Sequence, residues 1–322
     1  MADLPPPPAT PVDPGLLSPS DLAAIAQLSV RARVIVEGAT AGFHRTVRVG
    51  TSLEFTEHKE YAPGDDVRRI DWKAVGRADR YVIKRFEDET ELRVTLLVDA
   101  SASMGYARTS VSKLRYATQL AAAIAYLIGQ QGDAAGLWTL CGNTALRMPP
   151  SARPGQIREI LSALDRLEAG GDTNPAPALA RVAENVEKRS LILVFSDLLD
   201  VGEDPAKPAD QAVCDLATGL RQLRAAGHDV VLFHLLDPDE VNLPFDDLHY
   251  FQGVEPGDTR TLLCEATDLT LAFARESLAL RERWRKTCLQ SRVEYRFATT
   301  DEPPARVLRD FLLARQPGGR RT

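Results

Sequence analysis

The residues best placed for chemistry follow an apolar run. Leu92-Arg-Val-Thr-Leu-Leu-Val98 leads into Asp99, and Ser101 and Ser103 follow at alternate positions. Such a run reads as a buried central strand. Open α/β sheets place their ligand sites at the carboxyl ends of strands of this kind. One carboxylate and two hydroxyls at that edge are hard oxygen donors suited to Mg²⁺. Two later segments supply matching pieces. Gly170-Gly-Asp-Thr-Asn174 offers Thr173 in a glycine loop just before a helix, and Leu191-Ile-Leu-Val-Phe-Ser-Asp197 is a second apolar strand ending in an acid. The paired glycines would let the Thr173 backbone come close to the first loop.

The charge count decides what such a site does. Only Asp99 and Asp197 of the five groups are anionic, so a bound dication is no more than neutralised. The cation keeps its attraction for another carboxylate, and that attraction is large at ligand distance in a cleft of low dielectric. The expectation is a site that captures an acidic side chain from a partner protein. Mn²⁺ suits the same donors as Mg²⁺. Taken singly, each residue has a plainer explanation: Asp99 and Ser101 as caps, Thr173 as the N-cap of a helix starting at Asn174-Pro175, and Asp197 as a strand-end turn residue. Their joint appearance in this order favours the site.

Asp99, Ser101, Ser103, Thr173 and Asp197 together resemble the metal-ion-dependent adhesion site of von Willebrand factor A domains. A second resemblance sharpens the first. Tyr61-Ala-Pro-Gly-Asp-Asp-Val-Arg-Arg-Ile-Asp-Trp-Lys-Ala74, then Arg77 and Phe86-Glu-Asp-Glu89, resembles the signature of a bacterial domain-of-unknown-function family. Genes of that family accompany MoxR-type AAA+ ATPases, and the signature there precedes a von Willebrand A-like domain. The resemblance implies Ser101, Ser103 and Thr173 as direct metal ligands, with Asp99 and Asp197 bound directly or through water. It implies a non-catalytic, Mg²⁺-dependent protein-binding adaptor that works with a MoxR-type AAA+ ATPase in protein assembly or maturation. Many members of the family begin with two membrane helices; this chain resembles a shorter form without them. Asp65, Arg68, Arg69, Asp71 and Trp72 read either as an ion-paired clasp anchored by the Trp or as a partner-binding surface.

The elements that must position these residues follow from the hydrophobic pattern. A helix is expected from Ser20 to about Val36, then a half-exposed strand near Leu53 and Phe55, and another over Tyr81–Phe86. From Leu92 onward strand and helix alternate. Helices are expected over Lys113–Gln131, Pro154–Glu168, Ala176–Lys188, Asp210–Ala226, Glu276–Gln290 and Ala305–Arg315. Strands are expected over Ala135–Cys141, Leu191–Asp197, Val230–Leu236 and Val293–Phe297. Right-handed crossovers then give an α/β fold, a mostly parallel central sheet flanked by helices, doubly wound and von Willebrand A-like, with an N-terminal accessory region. The division expected is a Pro-rich tail over 1–20, the accessory region over 21–90, the von Willebrand A-like domain over 91–316 and a short tail over 317–322. Residues 238–268 break the rhythm and read as an irregular insertion or small hairpin, or as a partner-facing loop.

Composition removes several other functions. With 39 basic and 45 acidic residues the net charge is −6, and the chain lacks the electrostatic footprint of a nucleic-acid binder. Arg68, Arg69, Lys73, Arg77, Arg80, Lys84 and Arg85 do cluster near Trp72 and Tyr81. Asp65, Asp66, Asp71 and Asp79 interleave with them and cut the local field. Four cysteines with no paired or zinc spacing read as reduced structural thiols of a cytoplasmic protein. No stretch has the roughly 20 apolar residues of a membrane span, and no signal peptide is evident. The chain has no GxxxxGK[ST] loop and no HExxH motif. A serine hydrolase is the enzymatic alternative. Ser101-Ala-Ser-Met-Gly105 nearly matches a nucleophile elbow with Ser103 as nucleophile, and Asp197 and His234 or His249 follow in hydrolase order. Against it, Ser101 stands where the strained turn needs glycine, and a hydrolase explains neither Asp99 nor Thr173.

Overall fold

The computed structural model describes residues 28, 31–37, 39, 57–60, 82–85, 92–108, 111–140, 146–171, 175–186, 189–198, 209–244, 248–252 and 261–315. The signature residues Asp65, Arg68, Arg69, Asp71 and Trp72 lie outside them, as do Thr173 and both expected tails.

The apolar runs become the strands of a six-stranded sheet. These are β3 (Arg93–Val98), β4 (Ala134–Thr139), β5 (Arg147–Ser151), β6 (Leu191–Ser196), β7 (Asp229–Leu236) and β10 (Glu294–Thr299), in the spatial order β10-β7-β6-β3-β4-β5. All neighbours are parallel except β5, which runs antiparallel to β4 along the edge. The fold is the expected α/β arrangement with a mostly parallel central sheet. Two short antiparallel ribbons stand apart from that sheet, β1 (Glu57–Glu60) with β2 (Val82–Arg85), and β8 (Leu248–Gln252) with β9 (Thr261–Glu265).

Helices cover both faces, so the central strands are apolar on both sides. Val94, Leu96 and Val98 of β3 point into one cluster with Leu193, Phe195 and Phe233. That cluster is closed by α2 (Lys113–Gln130), α3 (Gln156–Asp165) and α8 (Pro304–Ala314), and it also holds Ala32, Ile35 and Val36 of a helical stretch over 31–37, here α1. Leu97, Ile192, Val194 and Leu232 point the other way. They meet α4 (Pro175–Asn185), α5 (Ala209–Ala225) and α7 (Ala266–Gln290) through Leu179, Leu220 and Trp284. The alternation is the period of two that a strand imposes. Phe195 stacks on Phe233 at 4.9 Å between centroids, and Phe311 of α8 meets Phe233 edge-on at 5.5 Å. The uncharged stretch of α2 is buried against this face, as its sequence implied.

Two elements differ from the sequence reading. β5 was not expected, because Pro149 and Pro150 argue against a strand. An edge position tolerates them, since no further strand needs their missing N–H groups. The helix expected from Glu276 begins ten residues earlier, at Ala266, directly after β9. Within 238–268 the small hairpin expected from sequence is the β8–β9 pair, and a one-turn helix, α6 (Pro238–Asn242), precedes it. Among the described residues no helix is long and apolar enough to cross a membrane.

Strand order fixes where a ligand site can form. From β3 the chain moves to one side through β4 and β5. It then returns to the other side of β3 at β6 and continues to β7. The reversal between β3 and β6 opens a crevice at their carboxyl ends.

Candidate metal centre

Asp99 sits at the tip of β3, in that crevice. Its N–H donates to the Phe195 carbonyl at 2.9 Å, and the Leu140 N–H donates to the Val98 carbonyl at 3.0 Å, so strand pairing carries to the last residue. The chain then makes a tight turn over Ala102–Gly105. The Met104 N–H donates to the Ser101 carbonyl at 3.1 Å and the Tyr106 N–H to the Ser103 carbonyl at 3.0 Å. Met104 is fully buried and anchors the turn in the core. The turn brings the Ser101 and Ser103 hydroxyl oxygens to 3.1 Å from each other.

The Asp99 carboxylate accepts a bond from the Ser101 N–H at 2.9 Å and another from the Ser196 hydroxyl at 2.7 Å. Ser196 accepts in turn from the Leu198 N–H at 3.0 Å. Asp197, the next residue, closes the end of β6. Asp99, Ser101, Ser103 and Asp197 are all buried within the one crevice. Gly170 reaches the same place, with its N–H donating to the Ala100 carbonyl at 2.8 Å. Four of the five residues singled out by sequence therefore share one strand-end site; the fifth, Thr173, lies outside the described residues.

The electrostatics are uneven. Burial first, then the nearby Asp197 charge, push the Asp99 carboxyl up to about 6, and its bonds from Ser196 and Ser101 only partly offset this. Asp197 has a resident cation. The Lys113 ammonium, at the start of α2, donates to Asp197 Oδ2 at 2.7 Å and also to Glu240 Oε1 of α6. Burial works against the charge on Lys113, but Asp197 and Glu240 outweigh it and hold the ammonium above its ordinary range. Burial also raises Glu240, against the pull of Lys113.

α6 is built to present Glu240. Asp237 caps it, accepting from the Asp239 N–H at 3.0 Å, while Glu240 Oε2 accepts from the Asp237 N–H at 2.8 Å. This reciprocal pair is a capping box. The neighbouring acids tie the helix to the serine turn. Asp237 Oδ2 accepts from the Arg108 N–H at 3.1 Å and from the Thr300 hydroxyl at 3.3 Å. Asp239 accepts from the Tyr106 hydroxyl at 3.1 Å and from the Arg108 guanidinium at 2.5 Å.

Sequence reasoning missed Lys113, Ser196 and Glu240. Ser196 adjoins Asp197 at the strand end and could have been found there. The Asp237-x-x-Glu240 spacing after a strand was a readable capping signal. Lys113 gave none, because a lysine early in an amphipathic helix reads as a solvated residue.

The site fits a divalent cation. A buried carboxylate without a cation among the described residues adjoins a pair of hydroxyls and a second carboxylate, which is a hard oxygen set. It fits a hydrolase poorly. Ser103 shares a bond with another hydroxyl, which does not activate it. His234 is buried with Nδ1 engaged by the Tyr295 hydroxyl at 2.7 Å, and burial pushes its imidazole down to about 4. The His249 side chain lies outside the described residues.

The chain is a doubly wound α/β protein with carboxylates and serines at the switch point of its sheet. The chain belongs to the family described as protein of unknown function DUF58, which matches residues 57–283. Uncharacterized protein Rv1480 of Mycobacterium tuberculosis (strain ATCC 25618 / H37Rv) is 28% identical over 270 residues, covering 82% of this chain and 80% of that relative. Uncharacterized protein Mb1516 of Mycobacterium bovis matches over the same length at the same identity. Similar solved structures include conserved hypothetical protein BatB from Bacteroides thetaiotaomicron, at 13% identity and a TM-score of 0.40, covering 69% of this chain and 97% of that one. The SpRpn10 VWA domain is another, at 15% identity and a TM-score of 0.35, covering 71% and 97%. The sheet order itself, not these distant likenesses, defines the fold.

Proposed function

We propose that this protein is a non-catalytic, Mg²⁺-dependent protein-binding adaptor whose site is built from Asp99, Ser101, Ser103, Thr173 and Asp197. The observation that carries this reading is Asp99, a buried carboxylate served only by hydrogen-bond donors among the described residues, beside two hydroxyls and Asp197. Mg²⁺ (or Mn²⁺) would supply a Lewis-acidic centre for a further oxygen ligand. Asp99 and Asp197 provide the negative charge that holds the cation. Ser101 and Ser103 provide neutral oxygens, so the protein does no more than neutralise the cation and leaves it able to take a further anionic ligand. A partner protein meets that demand with an acidic side chain.

A MoxR-type AAA+ ATPase is the partner this reading names, in protein assembly or maturation within the cytoplasm. The Asp65-to-Trp72 segment is its second proposed contact. The test is capture of the purified ATPase, or of an acidic client, by the full chain in Mg²⁺ and in EDTA. Capture should need the divalent ion and should vanish in Asp99→Ala with the circular dichroism spectrum preserved. Undiminished capture in EDTA sinks the mechanism.

A further inference from the structure

Lys113 occupies an unusual place. It is the first residue of α2, where the helix N-terminus carries partial positive charge and a cation is disfavoured. Its side chain is fully buried, although lysine is rarely buried unless paired. The helix does not need it as a cap, because the Ser112 hydroxyl already accepts the Arg115 N–H at 3.2 Å. What it does is join two elements from elsewhere in the chain. Its ammonium donates to Asp197 Oδ2 at 2.7 Å and to Glu240, whose other oxygen is fixed on the α6 backbone at 2.8 Å. Of the two strand-end carboxylates, Asp197 has a cation built into the fold, and Asp99 has none among the described residues.

Resting on the metal reading above, we propose that Lys113 sets the affinity of this site, as an internal monovalent counterion that competes with the divalent ion for Asp197. Without the lysine, Asp197 would be free of its bound ammonium and would offer its full charge to a divalent ion beside Asp99. A site with both carboxylates committed to the metal has less demand left for a partner's acid. With it, Asp197 is shared between two cations. The divalent ion is held loosely until an incoming carboxylate completes its ligands. Lys113 thus makes metal binding and partner binding depend on each other, and Glu240 is the anchor that keeps the ammonium within reach of Asp197.

The test is calorimetric titration of Mn²⁺ into the full chain as wild type, Lys113→Met and Asp99→Asn. Lys113→Met should bind Mn²⁺ about tenfold or more tightly than wild type, because the positive charge in contact with Asp197 has been removed. A lysine that only supports the structure would give weaker binding when lost. If wild type binds, Asp99→Asn does not, and Lys113→Met binds no tighter, this inference fails while the metal reading stands. If neither wild type nor Lys113→Met binds, both fail. Removing Lys113 also leaves the buried Asp197 and the half-buried Glu240 carboxylates unbalanced, so unfolding midpoints are read in EDTA and in Mn²⁺. A larger Mn²⁺-induced rise for Lys113→Met than for wild type supports the inference, and an equal or smaller one overturns it. A measurement on the unaltered chain stands independently of the variant's stability. The ¹⁵N signal of the Lys113 ammonium should shift and lose its exchange protection as Mg²⁺ saturates the site. An unchanged signal at saturation overturns the inference.

Discussion

Asp99 and Asp197 end adjacent strands, yet they sit in different surroundings. Asp197 faces an ammonium, whereas Asp99 faces an amide and a hydroxyl. A buried charge met only by neutral donors remains costly to keep ionised. Asp99→Asn keeps the shape and both donors while removing the charge. The variant is expected to lose Mn²⁺ affinity by about tenfold or more and to be at least as stable as wild type in EDTA, checked by calorimetry and urea unfolding. At this scale the sequence was informative where residues lie close together. Asp99, Ser101 and Ser103 share one loop, and Asp197 ends an apolar run of the same kind. It was silent on Lys113, because the partners Asp197 and Glu240 lie 84 and 127 positions away and only the fold brings them together.

Elements hold that geometry by close packing. α4 and α5 approach so nearly that a Cβ at Gly219 would lie 2.9 Å from the Cβ and Cδ1 of Leu179. Gly219→Ala should destabilise by about 1–3 kcal/mol despite alanine's better helix propensity, read as a lower urea midpoint with an unchanged slope. On the opposite face, Phe311 seals α8 onto Phe233. Phe311→Ala should cost about 3–5 kcal/mol, read from the same titration. Periodicity revealed the helices α2, α5 and α8 and all the parallel strands, because each carries a long apolar pattern. It failed at β5, whose prolines deny the usual strand signature, and at the start of α7. There Ala266-Thr-Asp-Leu-Thr-Leu-Ala-Phe273 has no regular polar face to announce a helix.

Across the whole molecule, stability should depend on pH through buried histidine. His228 immediately precedes β7, at the opposite end of that strand from the crevice at the carboxyl ends. It is 1% exposed, and neither ring nitrogen has a hydrogen-bond partner among the described residues. Burial lowers its pKa from the ordinary 6.5. The unfolded chain therefore takes up a proton near pH 6.5 that the folded chain refuses. Stability is full above that pH and falls as pH drops from about 6.5 toward the depressed folded value. Burial also pushes His234 down to about 4, so unfolding midpoints should decline between pH 7.5 and 5.5 through both histidines, and His228→Phe should make that decline shallower without abolishing it. An equal decline in the variant would place the titrating group elsewhere.

The edge strand β5 has a consequence for neighbouring molecules. Pro149 and Pro150 carry no amide hydrogen, and among the described residues β5 has only β4 beside it. An extended peptide laid along this flank meets acceptors where it needs donors, and the ladder cannot be lengthened. At the high concentrations met during synthesis, this margin resists growth into fibres, so the sheet does not become a template for its own copies.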